Sequence, residues 1–149
     1  MSDILMTATP ANYEPTTPAH PTLFLTTPEF LNHESLVKQH DTVLWQAFNT
    51  HGKYAKIVHH ADYFCLAVND QKEYLASAFI IEVGQKWLIE YVMTNPTEQN
   101  KGAGSAVMNE IMTQARQNNI QWVILNCDPV KESGKLPTFY EKFGFKTAM

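Results

Sequence analysis

Apolar residues at positions 103, 107, 108, 111, 112 and 115 recur at three- and four-residue spacing, with Ser105, Asn109, Glu110, Thr113 and Arg116 on the other side. This pattern predicts an amphipathic helix ending at Asn118-Asn119. Ahead of it, Tyr63-Phe64-Cys65-Leu66-Ala67-Val68 has the apolar and β-branched content of a strand, and Asn69-Asp70-Gln71-Lys72 supplies its turn. Tyr74 to Val83 and Trp87 to Met93 read as two more strands joined through Gly84-Gln85, so three strands form an antiparallel meander. Beyond the helix, Gln121 to Asn126 is a buried strand. A loop with Gly134 and Pro137 then precedes a short helix around Thr138 to Phe143, and Phe145 to Thr147 supplies a stub of strand.

The first third of the chain is less periodic. Thr22 to Thr26 reads as a short strand, and Thr27-Pro28-Glu29 as a helix start with threonine as cap, proline at the first helical position and an acid in the first turn. Phe30, Leu31, Leu36, Val37, Val43, Leu44, Ala47 and Phe48 suit one long or two short helices up to about Asn49, with Asp41 as a second cap and a break near His40-Asp41. Residues 1–21 hold four of the eight prolines and four threonines without apolar periodicity. They read as an extended or mobile arm, a tail or a clasp, ahead of one domain over residues 22–149.

Composition narrows the class. A chain of 149 residues with 44% hydrophobic and 17% charged residues is one soluble globular domain with enough length to bury a core. The wholly apolar runs, Tyr63 to Val68 and Trp122 to Leu125 among them, are far short of the roughly 20 residues that cross a bilayer. No lysine or arginine precedes Lys38, so the amino end lacks the charge of a signal peptide or presequence, and the expected compartment is the cytoplasm. Cys65 and Cys127 lack CxxC spacing and suit buried, reduced thiols. The net charge of −4 and the single arginine, Arg116, argue against a nucleic-acid platform and accord better with a cationic amine. The six histidines, His59-His60 among them, have no metal-ligand spacing, read as loop and helix polar groups, and imply no metal.

The stretch that carries chemistry is Gln99-Asn100-Lys101-Gly102-Ala103-Gly104-Ser105, between a strand and the amphipathic helix. Two glycines at a helix start let backbone approach a ligand closely, and the unpaired N–H groups of the first turn attract an anion such as a phosphate. A plain turn has the same spacing. A Walker loop and a dinucleotide fingerprint are both excluded: the first needs Gly-Lys-Ser/Thr after four intervening residues, and the second needs a third glycine where Val107 stands.

Here the chain resembles the GNAT superfamily of acyl-CoA-dependent N-acetyltransferases. The resemblance rests on Gln99, Gly102 and Gly104, which meet the pattern Gln/Arg-x-x-Gly-x-Gly/Ala, and on Phe139-Tyr140-Glu141-Lys142-Phe143-Gly144-Phe145, which is similar to the family's closing signature. It implies an α/β (α+β) fold with a mixed, mostly antiparallel sheet, flanked by helices and splayed where acetyl-CoA inserts, between the strand ending at Met93 and that ending at Asn126. It further implies that the backbone of Tyr91, Val92 and Met93 binds the pantetheine arm. Gln99, Asn100, Lys101, Gly102, Ala103, Gly104 and Ser105 would hold the pyrophosphate, and Asn126 would bond the cofactor arm, an ordered water or local backbone. A bulge near Val92 would aim an N–H at the thioester carbonyl.

Transfer of an acetyl group to a primary amine by direct attack needs a base for the ammonium, a donor for the developing oxyanion and an acid for the departing thiolate. Tyr140 matches the family's acid, with aromatic packing as its bland role. Glu90 is an acid in an otherwise apolar strand, so it is paired, solvated or faces a cleft where desolvation raises its pKa toward that of a base. Glu82 is the weaker candidate because it is nearer the strand's exposed end, and water alone is a third route. Ser133 stands where the family often has asparagine, and the sequence stops five residues after Gly144, so either the sheet is one strand short or a neighbouring segment fills its edge, an uncovered edge inviting pairing with a second copy as a homodimer. Two functions from different classes follow: an N-acetyltransferase, and a non-catalytic acyl-CoA-binding regulatory module. A toxin acting on aminoacyl-tRNA is disfavoured by the lone arginine.

Overall fold

The computed structural model describes residues 3–48, 60–98, 101–128, 134 and 136–148. Its strands are β1 (Ile4–Ala8), β2 (Thr22–Thr26), β3 (Tyr63–Val68), β4 (Tyr74–Val83), β5 (Lys86–Thr94), β6 (Trp122–Cys127) and β7 (Lys146–Thr147). The helices are α1 (Thr27–Leu31), α2 (Glu34–Phe48), α3 (Ala103–Gln117) and α4 (Leu136–Glu141). The strands form one sheet in the order β2-β3-β4-β5-β6-β1-β7, an α+β arrangement. Every pairing is antiparallel except β5 with β6, which is parallel because α3 carries the chain back across the sheet between them.

Two cores lie on opposite faces of the sheet. On one face Ala106, Val107, Ile111, Met112 and Ala115 of α3 pack against Cys65, Ala76, Ala78, Trp87, Ile89, Val123 and Leu125. On the other, Phe30 of α1 and Leu36, Val43 and Leu44 of α2 cover Phe64, Leu66, Phe79 and Met93. Successive strand residues alternate between the faces, which is why β3 and β4, covered on both sides, are buried almost throughout.

Several expectations shift. Within the stretch read as an arm, residues 4–8 form a strand of the sheet: β1 pairs with β6 from Ile4↔Cys127 to Ala8↔Val123 and with β7 at Met6↔Thr147 and Thr7↔Lys146. The segment that fills this side of the sheet is thus the chain's own amino-terminal strand. Met6 and Ala8 face the α3 core while Leu5 stays 45% exposed, a one-sided alternation too short to stand out among the prolines that follow it. The first helix is capped one residue earlier than expected. The Thr26 hydroxyl accepts from Glu29 N, and the Glu29 carboxylate accepts from Thr26 N at 2.8 Å, a reciprocal cap worth about 1 kcal/mol.

The helical break falls at Asn32 and His33, and α2 runs unbroken through His40 and Asp41. His40 is no loop or surface group. It continues the buried stripe of Leu36, Val43 and Leu44, is fully buried, stacks on Phe79 at 5.1 Å, and meets Phe30, Phe64 and Tyr74 edge-on at 5.5–6.0 Å. Desolvation pushes its pKa down to about 3, so the imidazole is neutral at physiological pH. Cys65 and Cys127 are free, buried thiols whose pKa values burial raises.

Candidate active site

The parallel pairing of β5 with β6 runs from Lys86↔Trp122 to Ile89↔Leu125 and stops there, although β5 continues to Thr94 and β6 to Cys127. Beyond that pair the strands part. The cause is visible on β5, where the register with β4 jumps from Phe79↔Glu90 to Ser77↔Met93. Three steps on β5 thus oppose two on β4, a β-bulge, and Tyr91 takes up the extra residue with φ of 54°, in the left-handed region. Left-handed backbone costs a non-glycine residue about 1–2 kcal/mol. Here it lets Glu90 and Tyr91 share one face, Val92 join the α3 core and Met93 return to the α2 core.

Glu90 opposes Phe79 across the strand pair, which puts it on the α2 face. Its side chain is half-buried, and desolvation raises its carboxyl pKa. Among the described residues no carboxylate contact fixes it, in contrast to Glu82, which accepts from Trp87 Nε1 at 2.9 Å. Asn126 is the residue that follows the last β5–β6 pair, as Glu90 is on β5. Alternation from Ile89 and Leu125, both buried against α3, therefore directs Glu90 and Asn126 to the same face at the opening.

Gly102 caps α3 with φ of 87°, so the backbone itself demands glycine. Gly104 is different. Its φ is ordinary, and a Cβ there would meet Thr94 Oγ1 at 3.5 Å and Phe139 Cζ at 3.6 Å, normal contact distances. The fold accepts a side-chain carbon at position 104; its direction is into the space bordered by the end of β5 and by α4. Ala103, Gly104 and Ser105 open the helix, so their N–H groups have no partner within it, and Ala106 N is the first to bond back, to Gly102 O at 3.0 Å. Lys101 Nζ pairs with Glu98 at 3.2 Å rather than standing over the loop. Gln99 and Asn100 lie outside the described residues, as does Ser133. This cradle of amides at the splay has the chemistry to hold a pyrophosphate and an extended arm.

Tyr140 is buried in the α3 core, its ring 5.1 Å from Phe139 and 6.1 Å from Phe145. It therefore approaches the sheet from the face opposite Glu90. Among the described residues no group of three or more His, Cys, Asp and Glu side chains could hold a metal ion, and no helix is long and apolar enough to cross a membrane. A hollow of about 560 Å³ lined by Thr9, Ala11, Arg116 and Trp122 lies at the far end of α3 and includes none of these candidate residues.

No curated protein matches this chain. Among solved structures it resembles a GCN5-related N-acetyltransferase from Sphaerobacter thermophilus, with 18% identity and a TM-score of 0.76 over 98% of this chain and 48% of that one. A GCN5-related N-acetyltransferase from Kribbella flavida is 13% identical, with a TM-score of 0.61 over 99% of this chain and 55% of that one. An acetyltransferase of the GNAT family from Staphylococcus aureus Mu50 is 14% identical, with a TM-score of 0.59 and 82% of each chain covered. The chain spans about half the length of the first two. These likenesses establish the fold. The family model described as an acetyltransferase (GNAT) domain matches residues 60–147, from the start of β3 through the bulged strand, the glycine cap and α4. The chain belongs to the GNAT acetyltransferase family.

Proposed function

We propose that this protein transfers an acetyl group from acetyl-CoA to a primary amine by direct attack. The observation that carries the reading is the coincidence, at one end of β5, of the break in β5–β6 pairing, the bulge at Tyr91 and the first-turn amides of α3 that follow Gly102. In this reading acetyl-CoA supplies an activated thioester, held by Gly102 to Ser105 and by the backbone of Tyr91 to Met93. A backbone N–H at the bulge meets the negative charge that develops on the acetyl oxygen, where a preorganised donor contributes most. Glu90, with its raised pKa, draws the proton from the acceptor ammonium directly or through water. The Tyr140 hydroxyl returns a proton to the departing sulfur. Asn126 stands beside Glu90 at the opening and suits a bond to the cofactor arm or to that water.

Placement of Glu90 and Tyr140 on opposite faces favours a second reading, a module that binds acyl-CoA without turnover. The splay answers it, since strands that part let an acceptor from one face reach a thioester from the other. Two buried free thiols accord with the reducing cytoplasm as its compartment. The deciding experiment measures thiol release from acetyl-CoA against a panel of small amines, peptides and aminoacyl-tRNA. Release with an amine acceptor supports the transferase; CoA binding without release from any acceptor supports the binding module; absence of CoA binding rejects both.

A further inference from the structure

Residues 13–20 leave the sheet and run along the outer side of α3, where the Tyr13 ring packs against Phe143 in the core and the remaining anchors are polar. Asn109, on the polar side of that helix, is only 6% exposed. Its Oδ1 accepts from Tyr13 Oη at 2.6 Å, Thr16 N at 2.9 Å and Thr16 Oγ1 at 3.1 Å, while its Nδ2 donates to Thr16 O at 3.0 Å. Arg116 Nη1 donates to Tyr13 O at 2.7 Å, and Thr22 Oγ1 donates to Glu110 Oε1 at 2.7 Å. The strap is therefore fixed on both sides of its far end, which lies on the glycine loop. There Ala19 Cβ sits 3.4 Å from where a Cβ on Gly102 would be, and His20 Nε2 bonds Lys101 O at 2.9 Å.

We infer that this strap is a built part of the cofactor site and that His20 is a positioning residue for the Lys101–Gly102 peptide. The inference rests on the acyl-CoA reading above. A carbonyl only accepts, so His20 Nε2 carries the hydrogen, as it does in both the neutral Nε2–H tautomer and the imidazolium. In a trans peptide the carbonyl and the N–H point in opposite directions. Holding Lys101 O against the strap therefore turns the Gly102 N–H away from it, toward the side on which the acyl-CoA reading puts the pyrophosphate. A glycine loop loses more conformational freedom on ordering than any other sequence. Ordering it before the ligand arrives removes that cost from binding, which is how a residue that never touches the ligand raises affinity.

The test compares the whole protein with His20→Ala and His20→Gln, the glutamine amide placing a donor where Nε2 stood. CoA and pantetheine, which lacks the pyrophosphate, are the probes, titrated by calorimetry and ligand-observed NMR, with Tm recorded for each variant. One net hydrogen bond predicts that His20→Ala weakens CoA about three- to tenfold. Pantetheine should be unaffected, Tm unchanged, and His20→Gln should restore most of the CoA affinity. Unchanged CoA affinity in His20→Ala, an equal loss for pantetheine, or no rescue by glutamine would each overturn the inference. A wild-type protein that fails to bind CoA at all overturns the acyl-CoA reading itself, and this inference with it.

Discussion

Position 104 offers the sharpest test of the glycine loop, because the fold and the ligand make different demands on it. Gly104 is in the first turn of α3 with ordinary φ, and a methyl group there would touch Thr94 Oγ1 at 3.5 Å and Phe139 Cζ at 3.6 Å without displacing either. Alanine is favoured over glycine within a helix by up to about 1 kcal/mol, and at this early position we expect about half of that. Gly104→Ala should therefore raise Tm by about 1–2 °C, given roughly 2–4 °C per kcal/mol for a domain of this size. The family pattern accepts glycine or alanine here, so CoA affinity should stay within a few-fold. Gly104→Val adds two methyl groups beyond the same Cβ. They project into the space between the end of β5 and α4 that the cofactor arm would thread, while valine is no poorer a helix former than glycine. CoA affinity, read by calorimetry, should fall at least about tenfold, or about 1.4 kcal/mol, with Tm close to wild type. A folded valine variant that binds CoA as tightly as wild type refutes the assignment of this loop.

Three further variants carry defined outcomes. Tyr140→Phe keeps the ring contacts with Phe139 and Phe145 and removes only the hydroxyl, so kcat should fall while CoA affinity holds; full turnover would leave Tyr140 as packing. Glu90→Gln should lower kcat/KM by about 10²–10⁴ and remove the acidic limb of the pH profile, and a limb that survives would assign it to the amine. The same variant should gain Tm relative to wild type at neutral pH and lose that gain below pH 4, because a carboxyl whose pKa burial raises destabilises the fold only where it must ionise. His40, held near a pKa of 3, stays unprotonated when the unfolded chain takes up a proton below about 6.5. Wild type should therefore lose about 2 kcal/mol between pH 7.5 and pH 5 that His40→Met does not, measured by urea denaturation; equal losses would place His40 in a wetter site.

Most of the sheet was legible because two-faced burial writes itself into sequence. The meander from Tyr63 to Met93 and the helix from Ala103 stand as expected to within a residue or two, since each carries a long apolar pattern. The splay and the bulge followed from the family resemblance, and nothing in the letters Glu90-Tyr91-Val92 announces a left-handed tyrosine. As a letter, His40 reads as a polar group, because histidine usually keeps its ring nitrogens in contact with water. Its place in the heptad-like stripe of Leu36, Val43 and Leu44 was the signal available, and the aromatic rings that neutralise it come from α1, β3 and β4, far away in sequence. Asn109 shows the reverse error: a polar residue on the outer face of α3 is buried by a segment with no periodicity of its own. The two glycines, equivalent as letters, separate only through φ, which makes Gly102 a backbone necessity and leaves Gly104 free to answer to a ligand.

The amino terminus links fold to site. The prolines at positions 10, 15, 18 and 21 suit a tail or a clasp equally. In the structure they lie along a path with three fixed points. β1 is held between β6 and β7 by two ladders, Tyr13 and Thr16 are held by Asn109, and Ala19 and His20 end on the glycine loop. Proline suits such a path because it forgoes a donor the strap has no carbonyl to satisfy and fixes φ where no ladder does. The same chain that completes the sheet beside β6 therefore reaches the first residues of α3, so the strand bordering the splay and the amides facing it are tied together through one short segment. An arm that packed only on the sheet would stop near Ala8. This one continues to the loop whose conformation the proposed chemistry requires, and it arrives there with a hydrogen-bond donor.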